Sequence, residues 1–161
     1  MSKQSAALTP QRDALIESAA RAAADFGAAA GVVDEAASRV LRVNPTDLSI
    51  LGVLYERQQL AASEAAAAVG LSPAATSTAI QRLLAAGHLT RATDPTDRRR
   101  AVLALTRSTR DLLARIYEPI GTAGRALLAD YHDDELRLIT AFLERGRELQ
   151  NQHAARTRKL R

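Results

Sequence analysis

Up to Gly87 the apolar residues of this chain recur in steps of three and four; from Gly87 to Leu105 they recur in steps of two. The first period is that of a helix face and the second that of a strand. Leu89, Arg91 and Thr93 alternate with Thr90 and Ala92, and Leu103 and Leu105 alternate with Val102 and Ala104, so two short strands are expected there. The connection between them, Asp94 to Arg100, contains Pro95, which cannot donate to a β-ladder, and ends in three consecutive arginines. A chain patterned in this way is helical with one inserted hairpin, and a hairpin with a long polar loop is a wing.

Composition agrees with a mainly α protein. Of the 161 residues 47% are apolar but only 3% aromatic, so the core must be built from Ala, Leu, Val and Ile. Alanine is the best helix former and lets helices approach closely. A chain of this length makes one domain, or two small lobes that share helices. With no cysteine, disulfides, thiol redox sensing and Cys-ligated zinc are excluded within the chain. No apolar run approaches the ~20 residues needed to cross a bilayer, and Met1-Ser2-Lys3-Gln4 lacks an apolar signal core. A soluble, cytoplasmic protein is expected, with no membrane partner.

From Pro10 to Leu41 apolar residues at Leu15, Ala19, Ala22, Phe26, Val33, Ala37 and Val40 mark one face of a long helix, weakened at Gly27 and Gly31. Asn44-Pro45-Thr46-Asp47 starts a second: Asn44 caps, Pro45 suits the first position and Asp47 complements the dipole. It runs to about Arg57, with Leu48, Leu51, Leu54 and Tyr55 inward. Ser63 is expected to open a short helix ending near Val69, Gly70-Leu71 to make a tight turn, and Ser72 to cap a helix that runs to about Ala86 and stops at Gly87. Two short helices about a Gly-containing turn have the helix-turn-helix layout. Thr106 is a plausible cap for a helix that Pro119 should kink and that continues to about Tyr131. Asp133-Asp134-Glu135 should cap the last helix, which carries two apolar stripes, one through Leu136, Ile139 and Leu143, the other through Leu138, Phe142 and Leu149. Burial on both sides, as in an interlocked dimer, would account for both stripes. The tail, Arg156 to Arg161, reads as a frayed basic terminus.

Charge points to a polyanion. The net charge is only +4, yet Arg98, Arg99 and Arg100 are adjacent, and all but Lys3 and Lys159 of the 22 basic residues are arginine. Arginine adds little to a core unless paired, whereas its planar fork suits phosphate and guanine. Catalysis has no comparable support. His88, His132 and His153 have no metal-ligand spacing, no nucleophile and base are juxtaposed by any known pattern, and there is no Gly-rich phosphate loop, so neither an enzyme nor a metal or other cofactor is expected.

The segments Leu71-Ser72-Pro73, Gln81-Arg82-Leu83, Ala86-Gly87-His88-Leu89-Thr90-Arg91, Asp94-Pro95-Thr96-Asp97-Arg98-Arg99 and Leu103-Ala104-Leu105-Thr106 together resemble the MarR family of winged helix-turn-helix transcriptional regulators. The resemblance covers roughly Leu48 to Thr106, and its wing signature is more specific than the helix-turn-helix alone. It implies a winged helix-turn-helix DNA-binding domain over 44–106, with helices of 1–43 and 107–161 forming a helical dimerisation domain. It also implies an obligate homodimer, a pseudo-palindromic double-stranded operator and, often, relief by a small-molecule effector. The effector pocket would lie between the winged and helical domains. Phe26, Tyr55 and Tyr117 could line it, although their spacing equally suits core packing. Three positions depart from the family's habit. Thr76 stands where a β-branched apolar residue is common, Thr78 where a basic or larger polar one is, and Arg110 where a Gly is usual. His88 too replaces an apolar residue.

On this reading Ser72, Ala74, Ala75, Ser77, Thr78, Gln81 and Arg82 form the DNA-binding recognition helix. Gln81 is suited to adenine, Ser77 and Thr78 are versatile, and Ala74 or Ala75 can touch a thymine methyl. Arg82 either meets a phosphate or pairs with a neighbouring acid. In the wing, Arg91, Arg98, Arg99 and Arg100 are the DNA contacts, and Asp94 and Asp97 orient arginines through forked hydrogen bonds. Lacking arginine at its front, the recognition helix should favour A·T-rich sites and leave more of the affinity to the wing. Two alternatives remain at this point: an architectural DNA-binding protein of low specificity, and a helical interaction module that has lost DNA binding.

Overall fold

The computed structural model describes residues 9–93 and 101–160. It contains six helices and three strands in the order α1 Pro10–Leu41, α2 Pro45–Arg57, β1 Gln59–Leu60, α3 Ala62–Val69, α4 Pro73–Ala85, β2 Leu89–Thr93, β3 Ala101–Leu105, α5 Arg107–Leu128 and α6 Asp133–Thr157. The chain divides into two compact units, Met1–Ala114 and Arg115–Arg161, with the boundary inside α5.

In the first unit α2 is the hub. It packs on α1, α3, α4, β1 and β3, and its Ile50, Leu51 and Leu54 are fully buried. Around them close Leu41, Leu60, Ala65, Ala79, Ile80, Leu83, Leu89, Val102, Leu103, Leu105 and Leu113. Replacing Leu51 by Ala should therefore lower the unfolding free energy by about 2–5 kcal/mol. Urea denaturation followed by circular dichroism reads this, and a loss under about 1 kcal/mol would mean that the site lies outside the core.

Caps fix most of the helix starts. The Thr9, Asn44 and Ser72 side chains accept the backbone N–H three residues on, and a proline follows each. The start of α3 differs from expectation: Ala61, not Ser63, is the cap residue, and Glu64 reaches back to accept the Ala61 N–H at 2.7 Å. Likewise His132 precedes α6 and its N–H is taken by Glu135 at 2.8 Å, so the acidic first turn caps through its third residue. Gly70 and Gly87 end α3 and α4 with φ of 65° and 75°, which favour glycine. Helix α5 runs through Pro119 and stops at Leu128, short of Tyr131.

The hairpin is part of a three-stranded antiparallel sheet, order β1-β3-β2, rather than a two-stranded one. Leu89 faces Leu105, Arg91 faces Leu103 and Thr93 faces Ala101, while on the other edge Gln59 and Leu60 face Ala104 and Leu103. Val102 and Leu103 are adjacent on the central strand β3 and both are buried, so both faces of the sheet are covered at this point, in place of the alternation expected of a half-exposed strand. The chain turns from α2 into β1 at Gln58, whose φ of 64° is unusual for a residue with a side chain.

In the second unit α6 buries none of its residues. Leu138, Phe142, Leu143 and Leu149 on α6 are exposed, as is Leu127 on α5. The N-terminal part of α1 is equally uncovered: Leu15 is 65% and Phe26 70% exposed, and only Ala37, Ser38 and Leu41 of that helix are buried. The regular apolar faces read from the sequence are present, and within each unit the described residues leave them exposed.

Candidate nucleic-acid interface

Helix α4 has two faces. Thr76, Ala79, Ile80 and Leu83 are buried, following the i, i+3, i+4, i+7 pattern. The opposite face presents Ala74, Ala75, Ser77, Thr78, Gln81 and Arg82 to solvent, with Ser72 exposed at its start. The Ser72 hydroxyl accepts the Ala75 N–H at 3.2 Å. Thr76 occupies its apolar niche without penalty because its hydroxyl donates to the Ser72 carbonyl at 3.0 Å. Thr78 donates in the same way to the Ala74 carbonyl at 3.1 Å, so its hydroxyl proton is engaged and its oxygen and methyl face outward. Gln81 thus carries the amide suited to bidentate contact with a base edge.

The single basic side chain of α4, Arg82, is tied to α2. Its Nε donates to Asp47 Oδ2 at 3.1 Å and its Nη2 to Asp47 Oδ1 at 2.7 Å. The Asp47 carboxylate is nearly buried, with 6% of the side chain exposed, whereas Arg82 is 48% exposed. Asn44 completes the cluster: its Nδ2 donates to Asp47 Oδ2 at 3.1 Å and its Oδ1 accepts the Asp47 N–H at 2.9 Å. The carboxylate raises the Arg82 pKa, chiefly through that hydrogen bond. Of the two roles open to Arg82 in the sequence, pairing with an acid is the one visible in the geometry. Asp47 itself was legible only as a dipole partner. The signal that it does more is its register, four residues before Leu51 and seven before Leu54, on the inward stripe of α2.

Behind the wing, a hydroxyl chain joins the end of α4 to the start of α5. Thr106 Oγ1 donates to the Gly87 carbonyl at 3.0 Å and lies 3.0 Å from Thr109 Oγ1, which lies 3.0 Å from His88 Nδ1. His88 therefore acts as a polar strut in place of an apolar residue. Arg110 places its guanidinium 5.9 Å from the Tyr55 ring centroid, a cation–π arrangement that gives the unusual arginine a partner. Arg91 lies exposed on β2. Asp94, Asp97, Arg98, Arg99 and Arg100 fall outside the described residues. Phe26 is exposed on α1, and Tyr55 and Tyr117 are half-buried on α2 and α5.

Two short helices joined at Gly70, the second capped and uncharged over most of its outer face, followed by an antiparallel strand pair, define a winged helix-turn-helix protein. Residues 43–100 match the model of the MarR family. An uncharacterized HTH-type transcriptional regulator of Bacillus subtilis, YcgE, is 29% identical over 122 residues, spanning 76% of this chain and 79% of the relative. A MarR transcriptional regulator from Methanosarcina mazei superposes with a TM-score of 0.57 at 20% identity, over 84% of this chain and 98% of that one. A point mutant of MepR from Staphylococcus aureus, solved bound to an oligodeoxyribonucleotide, gives a TM-score of 0.51 at 20% identity, covering 80% and 96% of the two chains. Among the described residues no helix is long and apolar enough to cross a membrane.

Proposed function

We propose that this chain is a homodimeric, sequence-specific DNA-binding repressor. It would hold an inverted-repeat operator with the recognition helices in successive major grooves, about 10 bp apart centre to centre. The observation that carries the reading is the outer face of α4: a capped helix whose buried residues are apolar or satisfied, and whose exposed residues are small or capable of base contact. Ser72, Ala74, Ala75, Ser77, Thr78 and Gln81 form the reading surface, and Arg91, Arg98, Arg99 and Arg100 the wing contacts, oriented by Asp94 and Asp97. The segments 1–43 and 107–161 supply the dimer helices around the DNA-binding segment 44–106. Exposed Leu15 and Phe26 on α1 and Leu138, Phe142 and Leu149 on α6 support that assignment, since apolar faces of this extent call for a partner. MepR's capture with an oligodeoxyribonucleotide supports the DNA reading by analogy of fold. Relief by a small ligand, as the family resemblance implies, belongs to the same proposal.

The test is selection of bound duplexes from a random library. An enriched inverted repeat is the expected result; binding without sequence enrichment would leave only an architectural role. Within the selected site, Gln81→Ala should cost about 1–3 kcal/mol against an A·T pair at one position of each half-site and relax preference there. Affinity for random duplex should stay unchanged, as fluorescence anisotropy on single-substitution operators would show. An equal loss on all sequences would assign Gln81 to phosphate instead.

A further inference from the structure

Asp47 is not on the recognition helix, yet it determines the charge of that helix. Helix α4 carries one ionisable side chain, Arg82. Both the Nε and an Nη of that guanidinium are taken by one carboxylate in a two-point fork. The carboxylate is buried and additionally held by Asn44. The pair spans 35 residues of sequence and joins the first turn of α2 to the last turn of α4. Among the described residues, ion pairs such as Arg21–Glu17 and Arg107–Asp111 connect residues one turn apart on exposed helix surfaces. A fork with a nearly buried acid is harder to open than these, because opening it strands a carboxylate away from water.

Resting on the DNA-binding reading above, we propose that Asp47 is a positioning and specificity-determining residue: by engaging Arg82 it withdraws the recognition helix's one cation from the phosphates, so the helix meets the duplex uncharged. Sequence-independent affinity comes from counterions released when protein cations neutralise phosphates. A forked, electrically neutral pair releases none. What α4 contributes is then base contact through Gln81 and its neighbours, and nonspecific attraction falls to the wing. Asp47 thereby raises the ratio of specific to nonspecific binding without touching DNA.

The experiment is the salt dependence of affinity for operator and random duplex. It uses the full-length wild-type protein, Asp47→Asn, and the double variant Asp47→Asn/Arg82→Gln. With Asp47→Asn, Arg82 is released to the backbone. The plot of log affinity against log salt should steepen by about 0.9, so between about 50 and 200 mM salt the variant loses about 3.5-fold more affinity than wild type. Random duplex should gain more than operator. In the double variant both charges are gone, the net charge is unchanged, and the wild-type slope should return. That arm is decisive even if the single variant is too unstable to purify. A double variant whose slope is shallower than wild type by about 0.9 would show that Arg82 already meets a phosphate, and would overturn the proposal. Failure of wild-type protein to bind any duplex at low salt would instead overturn the DNA-binding reading on which it rests.

Discussion

A variant carrying Leu138→Asp and Phe142→Asp is expected to be monomeric and to lose operator affinity by a factor of about 10²–10⁴. The two side chains lie one turn apart on α6 and are 72% and 54% exposed, so the chain's own core does not use them. Carboxylates there cost the isolated chain little, because α6 buries no residue and unit Met1–Ala114 keeps its own core about α2. A second copy, by contrast, would have to desolvate two charges in an apolar seam, at several kcal/mol each when unpaired. DNA binding then suffers for a reason separate from contact. Two reading heads held together act at high effective concentration on the second half-site, and that advantage spans roughly two to four decades. Sedimentation velocity should show one species of monomer mass, and circular dichroism should show the helices of the first unit retained. Affinity for an isolated half-site should be nearly that of wild type. A variant that stays dimeric would move the dimer seam away from this stripe of α6.

The parts of the molecule that were legible in the sequence are those whose signals are local. Asn44 and Ser72 are cap residues each followed by proline, so the starts of α2 and α4 fall where expected. Gly87 ends α4 for the backbone reason that a positive φ favours glycine. The misses are non-local or lie outside the capping residue's own side chain. Strand β1 is only Gln59–Leu60, too short to display a period of two, and exists because β3 offers it an edge. The cap of α3 is an alanine whose N–H is satisfied from Glu64, and Ala61 carries no mark of that in its own chemistry. Asp47 looked fully explained by the helix dipole, and only the fold brings Arg82 to it from 35 residues away. Phe26 shows the converse. Its place in a regular apolar face is plain from the sequence, but whether that face meets this chain or another copy is not encoded in its spacing, and in this chain it is 70% exposed.

The second large effect is expected at the wing. With Arg82 committed to Asp47, the exposed face of α4 offers no unpaired cation, and on the proposed DNA-binding reading phosphate attraction is expected from the hairpin, where Arg91 is exposed on β2 and Arg98, Arg99 and Arg100 fall in sequence between the paired Thr93 and Ala101. Replacing Arg98 and Arg99 together by Ala should weaken operator and random duplex by the same factor. At roughly 1.5 kcal/mol for each charge-assisted contact the loss is about a hundredfold. The salt slope should flatten by about 1.8, or 0.9 for each phosphate no longer neutralised. Sequence preference, set by α4, should be unaltered in the selected site. Asp97→Asn separates orientation from charge. Removing an acid makes the wing more basic, so a count of charges alone expects tighter binding. If Asp97 holds an arginine toward the minor groove, binding weakens instead, because an unrestrained side chain must lose rotamer freedom, worth up to about 2 kcal/mol, on docking. Tighter binding of Asp97→Asn, or an unchanged slope in the double-alanine variant, would show that these arginines stay in solvent, and the source of affinity would then have to be sought elsewhere among the 22 basic residues.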